Sequence, residues 1–268
     1  MISRPSLGIR GRAAAYVMRA ALGAVTRVVT TERVVALTFD DGPHAEFTPR
    51  LLSILHRHGA RATFFMVGTA AARHPELVRL VAAQGHAVGN HSWDHPSFPL
   101  IASGERRAQL RACAAALAPY GRRLFRPPYG HLDLASRLDT FRARHEVIGW
   151  SFGGEDWLDH DPDWMVDRLV ERIQPGTIVV LHDALYHVLD EKYADRSPLL
   201  AAVDTVLGRF GKTFRFVSLP ELFQAGRVHR RRSFSQPDVD FLNALQPSVG
   251  APRRYPSGVL PMRVSGTE

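Results

Sequence analysis

From residue 34 to residue 223 the chain alternates short apolar runs with amphipathic stretches, and this alternation limits the fold more than any other feature. Runs rich in Val, Ile and Phe predict strands at 34–39, 61–67, 86–90, 124–125, 146–150, 177–181 and 214–217. Between them, apolar residues three and four apart predict helices at 49–58, 74–84, 102–117, 132–141, 162–173 and 198–209, with a short one from 220. A helical crossover returns the chain to the same end of the sheet, so the strands should run parallel, with helices outside them. Seven such units in these residues suit a closed α/β barrel better than an open doubly wound sheet.

At 268 residues, 45% hydrophobic and 22% charged, the chain fits one large globular domain with tails. The one cysteine, Cys113, excludes an internal disulfide and a cysteine-rich zinc site. A net charge of +8 invites a nucleic-acid reading. Its placement argues otherwise. Residues 1–33 carry +5 and residues 224–268 carry +4, which against the total of +8 leaves −1 for residues 34–223. No nucleic-acid partner is expected.

No apolar run reaches the ~18 residues of a membrane-spanning helix. The stretch 13–25 is interrupted by Arg19 and followed by no convincing cleavage site. If helical, it would lie on a membrane surface or dock on the domain. Residues 1–33 are thus read as a basic N-terminal segment, 34–226 as the folded domain, and 227–268 as an extended or disordered tail. A cytoplasmic or peripheral-membrane location is favoured over secretion, and the oligomeric state is left open.

The chemistry-bearing residues fall immediately after strands. The first strand ends on Asp40-Asp41-Gly42-Pro43. Two adjacent carboxylates call for a nearby cation, one acid serving as ligand and the other as base; a simple turn is the plain alternative. His91 and His95 follow the third strand, four apart, as on one helical turn. With Asp41 they would make three ligands and leave a fourth position for water, the pattern of a catalytic zinc. Arg126 sits in the stiff run Arg126-Pro127-Pro128-Tyr129-Gly130, Asp156 follows the fifth strand, and His182 ends the sixth. In a parallel barrel these ends share one rim, where active sites form.

Together Thr38-Phe39-Asp40-Asp41-Gly42, His91-x-x-x-His95, Arg126-Pro127-Pro128-Tyr129-Gly130, Asp156-Trp157 and Leu181-His182-Asp183 resemble the motifs of the polysaccharide deacetylase family, which shares the nodulation-type chitooligosaccharide deacetylase domain. The resemblance spans residues 34–223. It implies a distorted (β/α)7 barrel and metal-dependent removal of acetyl groups from N-acetylated glycans or glycoconjugates. It further implies Asp40 as base, Asp41, His91 and His95 as zinc ligands, and His182 as general acid. Co2+, Ni2+ or Mn2+ are alternative ions. Arg126 would support Asp40, the Tyr129 N–H would help hold the oxyanion, and Trp157 and Leu181 would line the acetyl pocket. One motif departs: Gly153 stands where the family often has an acid. Asp156 is then left as the partner of either Arg126 or His182. The rival readings are hydrolysis of a non-sugar amide or imide, and an inactive glycan-binding barrel.

Overall fold

A computed structural model describes residues 23–158 and 161–231, together with 237, 238, 240, 242, 246 and 247. In chain order the elements are β1 (Ala24–Val29), β2 (Val34–Asp40), α1 (Phe47–Arg57), β3 (Thr63–Met66), α2 (Gly68–Arg73), α3 (Pro75–Ala83) and β4 (Ala87–Asn90). There follow α4 (Ser103–Ala116), β5 (Gly121–Phe125), α5 (Leu134–Arg142), β6 (Glu146–Val147), β7 (Phe152–Gly153) and α6 (Pro162–Arg172). The remainder comprises β8 (Ile178–His182), β9 (His187–Val188), α7 (Ser197–Phe210), β10 (Arg215–Phe216), α8 (Leu219–Gln224), β11 (Arg227–Arg231) and β12 (Gln246–Pro247).

The main sheet is parallel, in the order β6-β5-β4-β3-β2-β8-β7, with β10 added beside the start of β2. It curls into a distorted (β/α) barrel, as the alternation predicts. The ladder does not join β6 to β7. At that seam β1 lies across the gap, with Val25 bridging Ile148 and Arg27 bridging Thr177.

Strand alternation sorts the apolar residues into two layers. Val35, Leu37, Phe39, Val179 and Leu181 pack outward against Leu51, Leu55, Val166, Leu169 and Val203 of the helices. Val34, Ala36, Phe65 and Ile178 face inward, where Leu219 and Leu222 close the floor. By the same alternation Thr38 and Asp40 of β2, and Val180 and His182 of β8, belong to the inner face. This is what delivers polar groups to the mouth of an otherwise apolar barrel.

The ends of the domain differ from the sequence reading. The stretch 13–25, read above only for the case that it is helical, ends in β1 at Ala24 and Val25, and residues 1–22 lie outside the described ones. Residues 227–231 were expected to begin the tail, yet they form β11, paired antiparallel with β1. The cause is physical: β1 is rich in β-branched residues, and its partner lies about two hundred residues away, beyond the reach of any local pattern. Short α2 was also not foreseen. No described helix is long and apolar enough to cross a membrane.

Candidate active site

Asp40 and His182 are register partners on the adjacent strands β2 and β8, so the sheet itself sets a carboxylate beside an imidazole. One residue on, Asp41 turns into the left-handed region at φ 72°. Ser92 (70°), His95 (61°), Tyr129 (58°) and Glu155 (54°) share that conformation around the same rim. Each costs about 1–3 kcal/mol in a non-glycine residue, a cost that the surrounding fold must offset. Gly42 lies against the fully buried Asp183, and a Cβ there would fall 2.5 Å from both Asp183 carboxylate oxygens. Thr48 Oγ1 donates to Asp183 Oδ2 at 2.5 Å. Burial pushes the Asp183 carboxyl up to about 7, and Asp41 and Asp40 add to the rise.

His91 and His95 are not on a helical turn, as the spacing suggested. The segment after β4 is a loop, because Ser92 and His95 take left-handed φ values that a helix cannot accept. Side chains replace the missing helical bonds. Asn90 Oδ1 accepts the Ser92 N–H (2.9 Å), Gln109 Oε1 accepts the N–H groups of Trp93 and Asp94, and Ser92 Oγ accepts the N–H of His95 (3.1 Å). Gln109, on α4, carries no motif that could have marked it.

The loop nevertheless brings the three expected ligands together. Asp41 Oδ1 lies 3.2 Å from His91 Nε2 and 3.1 Å from His95 Nε2, and the two Nε2 atoms are 3.2 Å apart. All three residues are buried. Asp41 Oδ1 has no well-aligned hydrogen bond, so this buried carboxylate oxygen is left without a partner beside the two imidazole nitrogens. Donors about 2.0–2.1 Å from a tetrahedral ion would stand roughly 3.3–3.4 Å apart. The triangle therefore fits a small divalent cation. His91 Nδ1 donates to the Arg126 carbonyl (2.8 Å), which leaves Nε2 as the lone-pair nitrogen, and Asp41 Oδ2 accepts the Tyr186 N–H (2.9 Å). Burial lowers the His95 pKa and favours the neutral, ligating form. For Asp41, burial works to raise the pKa, but His95 and His91 outweigh it and hold the carboxyl well below the usual range.

Arg126 is fully buried. Its Nη1 donates to Asp40 Oδ1 (2.7 Å) and to Thr38 Oγ1 (2.7 Å), and its Nη2 donates to the Gly149 carbonyl (2.9 Å). Asp40 Oδ2 is left facing the triad, 3.9 Å from His91 Nε2. The two partners that the sequence left open for Asp156 are now separated: it serves His182, not Arg126. Asp156 Oδ1 accepts from His182 Nδ1 (3.1 Å), and Oδ2 accepts the His182 backbone N–H (2.9 Å). Burial works to lower the His182 pKa, but the Asp156 carboxylate outweighs it and raises the imidazole to about 9.

Arg196, which no sequence pattern flagged, completes this arrangement. It pairs with Asp156 Oδ2 and donates to the His182 carbonyl (3.0 Å) and the Asp156 carbonyl (2.8 Å). Gly153, in place of an acid, lends its carbonyl to Arg168 Nε (3.1 Å), and Arg168 also pairs with Glu155.

Asp40, Asp41, His91, His95 and His182 open onto a cleft of ≈ 360 Å³. Tyr129 and Trp157 line it as expected, and Trp157 is 37% exposed. Leu181 does not. It faces the helix side of β8, fully buried, and Val180 and Leu185 form the wall instead. His187, which belongs to none of the motifs, also lines the cleft, and its Nδ1 lies 2.8 Å from the Tyr129 hydroxyl. His131 also lines it, whereas Asp133 caps α5 through the Ser136 N–H (2.7 Å).

Residues 27–147 match the family model for polysaccharide deacetylases. A peptidoglycan-N-acetylglucosamine deacetylase of Bacillus cereus is 32% identical over 200 residues, 73% of this chain and 70% of the relative. A chitooligosaccharide deacetylase of a Bradyrhizobium strain is 37% identical over 163 residues, covering 58% of this chain and 73% of that one. Among solved structures, a peptidoglycan N-acetylglucosamine deacetylase in complex with a naphthalenyl N-oxidanyl-benzamide superposes with a TM-score of 0.71 at 28% identity, over 81% of this chain and 99% of that one. Motifs, barrel and relatives agree, and the chain belongs to the polysaccharide deacetylase family.

Proposed function

We propose that the protein is a metal-dependent hydrolase that removes N-acetyl groups from an N-acetylglucosamine-type glycan or glycoconjugate. The observation that carries this reading is the placement of Asp40 and His182, paired in register, in one cleft with the Asp41–His91–His95 triad. A binding site has no need of a base and a protonated acid at the same cation. The named activities of the relatives support the sugar substrate.

Zinc is the ion we expect at the triad, where it would acidify a water and polarise the acetyl carbonyl. Asp40, with Oδ1 held by Arg126, uses Oδ2 to take a proton from the attacking water. The Tyr129 N–H supports the developing oxyanion. His182 keeps Nδ1 on Asp156 and delivers the Nε2 proton to the departing amine. Tyr129 and Trp157 hold the sugar beside these groups. The test is acetate release from chitin oligomers, peptidoglycan fragments, single amino-sugar conjugates and a non-sugar amide. Release from the glycans is expected; turnover of the amide alone would replace this reading with the non-sugar one.

His182 also sets a pH limit. An acid with a pKa near 9 is protonated at neutral pH, so kcat should fall as pH rises through about 9. Asp156→Asn removes the main cause of the upward shift and should move that alkaline limb down towards the ordinary histidine value of 6.5. Metal content should not change. The folded pKa lies above the unfolded one, so the pair's stabilising contribution is complete below pH 6.5 and lost as pH rises through about 9. An alkaline limb that stays in place in Asp156→Asn would exclude His182 as the acid.

A further inference from the structure

The site described above leaves unused a second concavity on the flank of the barrel, where β5, β6 and α5 meet β11. It encloses ≈ 630 Å³, and its lining includes Arg123, Arg142, Arg144, Arg230, Phe141 and Glu146. Glu146 is the one carboxylate in that lining, and Arg230 already engages both of its oxygens. Arg123, Arg142 and Arg144 are exposed. The acid closest to Arg142 is Asp139, 4.0 Å away, but its carboxylate is buried and bonded to Arg106 (2.7 Å). The wall therefore carries a positive excess, although residues 34–223 as a whole sum to −1.

Two further observations identify the partner. Phe141 is 58% exposed and Leu134 is 54% exposed. They are seven residues apart on α5 and so lie on one side of it. Phe141 lines the groove beside its arginines and Leu134 lies about two turns away on the same side of the helix; exposed apolar residues next to a basic wall are the composition of a surface that rests in a bilayer interface. A nucleic acid would match the arginines and gain little from Leu134. The second observation is at Gly23, whose carbonyl accepts from Arg230 of the groove lining (3.3 Å). The 22 residues that precede Gly23 in sequence contain four arginines and no acid, so their composition has the same sign of charge as the groove.

We propose that this face docks the protein on an anionic phospholipid bilayer, with Arg123, Arg142 and Arg144 on headgroup phosphates and Phe141 and Leu134 in the interfacial layer. The experiment is flotation of the full chain with phosphatidylcholine vesicles, with and without phosphatidylglycerol. Wild type should bind only the anionic vesicles, and salt should release it. Each basic residue at such a surface contributes roughly fivefold, so converting Arg123, Arg142 and Arg144 to glutamine should weaken binding about 100-fold. Lysine at the same positions should restore it, which separates charge from folding. Phe141→Ala should weaken binding at every salt concentration. The proposal falls if wild type ignores anionic lipid or if the glutamine variant binds as wild type does. It also falls if Phe141→Ala has no effect while duplex DNA displaces the vesicles, an outcome that would mark a polyanion site instead.

Discussion

Asp40→Asn is expected to lower kcat by about 10²–10⁴-fold, the usual contribution of a positioned base, with KM little changed. Asparagine is nearly isosteric and can still accept from Arg126 Nη1 through its carbonyl oxygen, so the local geometry should persist. What it cannot do is take a proton. The bound metal, measured by elemental analysis, should equal that of wild type, because Asp40 is not one of the three converging donors. Stability should fall as well. Arg126 is fully buried and Asp40 is its only ion-pair partner among the described residues. Removing one member of a buried pair costs about 3–5 kcal/mol, and somewhat less where the hydrogen bond survives. Turnover at the wild-type rate in this variant would move the base to another residue.

The neighbouring substitution should behave differently. Asp41→Ala or His95→Ala removes one of three donors, and either should abolish both metal binding and turnover. Chelation of wild type should have the same effect, reversed by adding zinc. A readout independent of activity is available in the melting midpoint. A ligand that binds only the folded state at about 100 times its Kd stabilises it by roughly 2.7 kcal/mol, so zinc should raise the midpoint of wild type and of Asp40→Asn but not of Asp41→Ala. The contrast between adjacent acids is the sharpest test of the site. Equal metal retention in Asp40→Asn and Asp41→Ala would remove the assignment of Asp41 as ligand.

The parts of the site legible in the sequence are those that local physics places. A strand of known phase puts Asp40 on one face and Phe39 on the other, and a strand ending in His182 does the same on β8. The same rule puts Leu181 on the helix side, since it alternates with Val180 and His182, whereas the family resemblance implies a place in the pocket. The structure brings His91 and His95 together, but not on a helical turn. Their spacing suits a helix, yet what joins them is a strained loop held by Asn90, Ser92 and Gln109. Arg196 and His187 could not have been found this way. Both come from the rim between β8 and α7, where no period constrains the backbone and the contacts are made across the barrel mouth.

The fold divides along the same line. Alternation of apolar strands and amphipathic helices fixed a parallel barrel, and the polar residues at strand ends fixed which rim would be chemical. Both follow from short-range stereochemistry: the two-residue period of a strand, the 3.6-residue period of a helix, and the handed return of a crossover. Tertiary structure alone decided how the barrel closes, with β1 laid across the seam and β11 paired to it from the far end of the chain. It also decided that Asp156 meets His182 rather than Arg126, and which groups hold the adjacent acids: Arg126 for Asp40, His91 and His95 for Asp41. In each case the deciding contact joins residues far apart in sequence. Their pairing is determined by burial and charge compensation in three dimensions, and no local pattern carries that information.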